Sequence, residues 1–193
     1  MARLRSIAMK GHDTKEAAKM GLLNTKQMRR LHQKRDLFFH DAMHKISSRI
    51  IQECMDHGIT TIVIGVNERW KQSIELGKNA QSFVQMPFYQ LRKMIEYKAE
   101  RVRIEVISQE ESYTSKADLT AGDHIPTYGV DDEKAKFSGT RVKRGLYQNK
   151  EGNLFNADLI GAGNILKKKF PETFSKITDF SFLQNIKVIQ VFS

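Results

Sequence analysis

The 193-residue sequence predicts an α/β protein with a mixed sheet and packed helices, and three observations carry that expectation. ITTIVIGV, Ile59 to Val66, is β-branched and almost continuously apolar, as a strand buried on both faces would be. On either side of it lie stretches whose apolar residues recur at helical spacing. A second strand-like run, RIEVISQEE, ends at Glu111. Helix, strand, helix, strand is the order of a parallel unit with helices packed on its sheet.

The first helix is expected over Lys19 to Gly58, with Phe38, Ala42, Ile46, Ile50 and Cys54 in one stripe and Phe39 and Met43 beside it. Gly58 ends it. After the first strand, Asn67 to Phe83 reads as a polar loop containing Gly77. Pro87 suits the first position of the second helix, whose face carries Phe88, Leu91, Met94, Ile95 and Ala99. Beyond Glu111 the chain becomes loop-rich. TRVKRGLYQ, the turn NKEG and NLFNAD then read as a hairpin. The last helix starts near Asn156, turns Ala162, Leu166 and Phe170 inward, and stops at Pro171. Its Gly161, Ala162 and Gly163 would permit close backbone approach. The tail from Glu172 to Ser193 has only a strand-like KVIQVFS.

Charge points to a partner. The net charge is +10, and residues 1–50 hold 12 Lys and Arg against 4 Asp and Glu. Such a basic arm suits a phosphate backbone, because each neutralised phosphate releases counterions. Arg29, Arg30, Lys34 and Arg35 in this arm, with Lys71 further on, are the candidate contacts. A solvated helix face would carry similar charge. The single Cys54 leaves no intramolecular disulfide and fits a reducing, cytoplasmic setting. No apolar run is long enough to span a membrane, and none follows the basic start as a secretory signal would.

Two groups could carry chemistry. HDAMH puts His40 and His44 on one helix face, as in zinc-binding H-E-x-x-H, but Asp41 replaces the glutamate and no third ligand suggests itself. Glu110 and Glu111 end a strand, where open α/β sheets place their sites, and Asp158 lies in the first turn of the last helix. Two-metal phosphodiester cleavage needs several carboxylates around ions roughly 3.5–4 Å apart. Alone, the pair reads equally as an exposed strand end, and Asp158 as a carboxylate favoured by the helix dipole.

In order, IVIGVNERWKQ, LGKNAQSF, PFYQLRKMIEYKAERVRIEV, EESYTSK, FSGTRVKRGLY and NADLIGAGNI resemble the OrfB/TnpB family of transposon-associated proteins. The resemblance runs from about His44 to Lys169. It implies a RuvC-like nuclease domain of RNase H fold, transposase-like RNA-guided DNA endonuclease activity, DNA and guide RNA as partners, and a magnesium site of three acidic residues. It also implies a zinc ribbon inserted before the last helix.

Carried onto this chain, the match is partial. The family's third acidic position falls on Asp158. Gly65 or Val66 stands at the second, so Glu111 at the end of the neighbouring strand is the substitute. Strands lie about 4.8 Å apart, within reach of the same ion. Glu110 is the fallback, because alternation sends the two to opposite faces. The first aspartate has no counterpart in residues 1–34. The C-x-x-C pairs of relatives are replaced by KADLTAGD and QNKEG, so no zinc is expected. Lys143, Arg144 and Tyr147 in the insert remain suited to nucleic acid.

The resulting expectation is a partial RNase H-like fold, truncated at its N-terminus: basic arm 1–34, first RuvC-like part 35–112, insert 113–150, last helix 151–170 and tail 171–193. Glu111 and Asp158 would be its catalytic and metal-binding residues, with Mg²⁺ only if it is active. Cleavage would require a separate chain supplying the missing half. Otherwise the chain is a nuclease-dead binder acting by occupancy, or a decayed gene fragment.

Overall fold

A computed structural model describes residues 13, 15–16, 25–67, 88–133, 135–184 and 186–191. Helix α1 (Lys26–Asp56) starts where the Thr25 hydroxyl accepts the Met28 N–H. It ends as expected at Gly58, whose φ of +64° suits a residue without a Cβ. Its buried seam is Ala42, Met43, Ser47, Ile51 and Cys54. Phe38, expected in the stripe, is 64% exposed. The physical reason is the partner: helix α2 (Phe88–Arg101) lies against the C-terminal half of α1. There Lys98 Nζ donates to His44 O and Ser47 Oγ at 2.7 Å and to Ser48 Oγ at 2.8 Å. Met94, Ile95 and Ala99 of α2 are buried as the spacing predicts, while Phe88 is exposed. The predicted loop 68–83 and Pro87 fall outside the described residues.

Strands β1 (Thr61–Val66) and β2 (Glu105–Glu110) pair in parallel, Thr61 opposite Glu105 through Val66 opposite Glu110. Every residue of β1 is half-buried; among the described residues its sheet has two strands, so β1 has a neighbouring strand on one edge only. Ile51, Cys54, Ile95, Ala99 and Ile104 form the core of this half, with Ile62, Ile64 and Val106 packed against it.

The insert and the residues that lead into the last helix form a second, antiparallel sheet of β3 (Thr140–Lys143), β4 (Leu146–Gln148) and β5 (Leu154–Asn156). Parallel and antiparallel strands thus sit in two sheets, where one mixed sheet was expected. TRVKRGLYQ is two strands, broken at Gly145 with φ +79°. Helix α3 (Ala157–Lys169) buries Ala157, Ile160 and Asn164. Ala162 and Phe170, expected inside, are exposed. The face is set by Asn164, whose Nδ2 donates to Thr114 O at 2.8 Å and Ala117 O at 2.7 Å.

Of the glycines in α3, only Gly163 stands against a neighbour, the Leu119 side chain, and Gly161 faces open space. The second core comprises Leu119, Tyr147, Phe155, Ala157, Ile160 and Leu183. Described residues after α3 form two 3₁₀ turns, Pro171–Phe174 and Ser181–Leu183, and no strand. No helix among the described residues is long and apolar enough to cross a membrane.

Candidate functional site

The two glutamates at the end of β2 both come to α3, Glu110 at Lys168 and Glu111 beside Ile165. Glu110 turns toward α3, where its Oε2 accepts Lys168 Nζ at 2.5 Å and its Oε1 accepts the Ser112 N–H at 2.7 Å. Lys168 also donates to Pro126 O at 2.9 Å, so this pair ties α3 to the insert loop. Burial alone would raise the Glu110 carboxyl, but the Lys168 and Ser112 bonds outweigh it and hold it below the usual range.

Glu111 continues the ladder through its N–H to Val66 O at 3.2 Å. Its carboxylate lies over Gly65: a Cβ built there would stand 2.6 Å from Glu111 Oε2 and 2.7 Å from Ile165 Cδ1 of α3. A side chain from β2 thus fills the space that residue 65 leaves empty. Burial, and then the Glu110 charge, push the Glu111 carboxyl up.

Asp158 lies in the first turn of α3, above the Asn156 cap, whose Oδ1 accepts the Asp158 and Leu159 N–H groups at 2.9 Å. Its side chain is 84% exposed, with Arg141 Nη2 at 3.9 Å. Seven residues separate it from Ile165, which lies beside Gly65. That spacing keeps them on one helix face but about 10 Å apart along the axis at 1.5 Å per residue. Among the described residues, no three His, Cys, Asp or Glu stand together as a metal donor set. The described residues therefore do not furnish the several converging carboxylates of a two-metal centre. His40 and His44 pack ring against ring, 4.6 Å between centroids.

The basic candidates divide. Arg29, Arg30 and Lys34 are exposed on the first half of α1, beside exposed Leu37 and Phe38. Arg35 is half-buried and bonds Asp36 Oδ1 at 2.7 Å. Lys143 and Arg144 are exposed at the end of β3, and Lys71 lies outside the described residues. Tyr147 is a correction: it is fully buried in the core and its hydroxyl donates to Lys116 O at 2.8 Å, so it cannot meet a nucleic acid. Burial pushes its phenol far up.

Sequence reasoning missed Arg141, which every-other-residue spacing with Lys143 in TRVK could have found. It also missed what replaces cysteine in the insert. Asp118, fully buried, accepts Thr120 N at 2.9 Å and Thr120 Oγ1 at 2.8 Å through Oδ1, and Lys150 N at 2.8 Å through Oδ2. Asn149 Nδ2 donates to Thr120 Oγ1 at 3.0 Å. KADLTAGD and QNKEG are thereby joined directly. Asp123 closes the module by accepting Asp118 N at 2.9 Å and Ser138 N at 2.8 Å. Tyr113 stacks with Tyr128 and Phe137 over the same loop. The signal was D-x-T, in which an aspartate bonds backbone two residues on.

An α/β chain with a hairpin-based insert, joined by polar side chains, between β2 and its last helix is the class these features define. Residues 88–165 match the family described as Cas12f1-like, TNB domain. That span lies within the stretch, about His44 to Lys169, that resembles the OrfB/TnpB family. A solved structure, "Cryo-EM structure of the Cas12f1-sgRNA-target DNA complex", is similar with a TM-score of 0.54 and 22% identity, covering 81% of this chain. The chain spans 41% of that protein's length. No curated protein matches.

Proposed function

We propose that this chain is a nucleic-acid-binding protein descended from an RNA-guided, magnesium-dependent DNA endonuclease, and that on its own it binds without cutting. DNA and a guide RNA are its partners on this reading, and α1, β1, α2, β2 and α3 are part of a RuvC-like, RNase H-like domain. Binding is supported by the exposed Arg29, Arg30 and Lys34, by Arg141, Lys143 and Arg144 on β3 and its turn, and by the net charge of +10. The relative's structure is titled as a complex with sgRNA and target DNA.

The observation that carries the second half is the separation of the two carboxylates. Glu111 is folded in over Gly65, while Asp158 is exposed at the far end of α3 beside Arg141. Clamping the attacking and leaving oxygens requires such groups to share ions roughly 3.5–4 Å apart. A separate chain bringing further strands and the first aspartate would restore cleavage.

The test is anisotropy with a labelled single strand across a salt series. The expected result is binding that weakens steeply with salt, with a smaller slope for Lys143→Ala/Arg144→Ala. Binding that ignores salt, or a slope unchanged by every basic substitution, would refute the reading.

A further inference from the structure

A cleft of about 580 Å³ opens between the β4–β5 hairpin and the segment following α3. That volume falls in the range of small-ligand sites, roughly 300–1,000 Å³. Its apolar part comes from Phe155, Ile177 and Phe180. Phe155 is buried in the second core, and Phe180 is braced by Phe174 and Phe182, at 6.4 and 6.1 Å between centroids. These rings are fixed before anything binds.

The polar groups fall into two sets. Asn149 and Asp179 are spent internally: Asn149 bonds Thr120, Glu151 and Asn153 N, and both Asp179 oxygens accept from Ser181. The side-chain amides of Asn153 and Gln184, one on each wall, are exposed and have no partner among the described residues. Each offers a donor and an acceptor from one planar group, which is the complement of a nucleobase edge. Lys150 and Lys176 are exposed and adjoin the lining residues Glu151 and Ile177 in sequence, which puts positive charge near the cleft for a backbone phosphate.

We propose that this cleft binds one unpaired nucleobase of a bound strand, stacked on Phe180 and held at its edge by Asn153 and Gln184. The inference deepens the nucleic-acid reading and rests on it. Aromatic stacking with amide contacts at the base edge is how unpaired bases are held in general. The negative charges of Glu151 and Asp179, though both carboxylates are hydrogen-bonded within the protein, keep the phosphate outside the cleft.

The test uses the full chain, labelled for backbone amide NMR, with adenosine monophosphate as probe and ribose 5-phosphate as the baseless control. Adenosine monophosphate should move the Phe180, Gln184 and Asn153 resonances saturably, and ribose 5-phosphate should not. Gln184→Ala and Asn153→Ala, both at exposed positions that leave the fold intact, should each weaken the nucleotide about three- to tenfold.

No movement with the nucleotide, equal movement with ribose 5-phosphate, or unchanged affinity in both variants would overturn the proposal. A strand bound normally in anisotropy while the nucleotide stays silent would sink the cleft and leave the nucleic-acid reading standing. A nucleotide bound while no strand binds would sink that reading, and with it the strand-borne base.

Discussion

Asp118 Oδ2 accepts the Lys150 N–H at 2.8 Å, so one buried carboxylate joins two turns on opposite sides of the insert. The insert is small, and modules of that size need a staple. Here a carboxylate, itself held by Asp123 through the Asp118 N–H, does that work. Asp118→Ala strands the N–H groups of Thr120, Ala121 and Lys150, and should cost about 3 kcal/mol in urea unfolding. Treatment with a metal chelator should leave the unfolding midpoint unchanged. A midpoint that falls with chelator would mean that an ion, and not Asp118, holds the turns.

The insert should also respond to acid. Burial raises the Asp123 carboxyl, but bonds from Ser138 and Asp118 and the Lys167 charge outweigh it, so its folded pKa is below the unfolded one. Its stabilisation is then complete above the unfolded value, about 3.9, and is lost as pH falls through the lower, folded value. Unfolding midpoints of wild type and Asp123→Asn should therefore differ near neutral pH and converge in strong acid. A gap that persists in acid would contradict this.

Two glycines should behave oppositely. A Cβ at Gly139 would stand 2.5 Å from Tyr147 Oη and 2.7 Å from Gln148 O, and neither can yield: one is pinned in the core, the other is strand backbone. Gly139→Ala should cost about 2 kcal/mol. Gly161 faces open space inside α3, so Gly161→Ala should stabilise by about 0.5–1 kcal/mol. Thermal melts of both variants check the pair, and equal signs would refute the packing described.

The order α1, β1, α2, β2 was legible because apolar periodicity is a local property, and Ile95, Ala99 and Cys54 are buried as their spacing predicts. What was not legible depended on distant partners. Phe38 fits the α1 stripe by spacing, yet α2 packs on the other half of that helix. The inward face of α3 follows Asn164, because the Thr114 and Ala117 carbonyls need its donors, and no periodicity in α3 reveals that need. Tyr147 looked like a surface aromatic because its strand is short and flanked by charge.

The candidate site divides in the same way. Strand alternation predicts opposite faces for Glu110 and Glu111, but at the strand end both reach α3, Glu110 at Lys168 and Glu111 over Gly65 beside Ile165. Arg141 was missed because its nearness to Asp158 depends on how the insert folds back on α3.

Glu111 over Gly65 is testable by coupling. Gly65→Ala should displace the Glu111 carboxylate and cost about 1 kcal/mol, and that cost should shrink in a Glu111→Ala background. Equal costs in both backgrounds would show that the carboxylate is not the neighbour that matters.

The central claim, binding without cutting, is tested most directly by incubating the purified chain with end-labelled single- and double-stranded DNA and Mg²⁺ and reading bound and cleaved fractions together. Salt-sensitive binding with intact DNA, the same for wild type and Asp158→Ala, is the predicted result. Mg²⁺-dependent cleavage that disappears with Asp158→Ala or Glu111→Ala would contradict it.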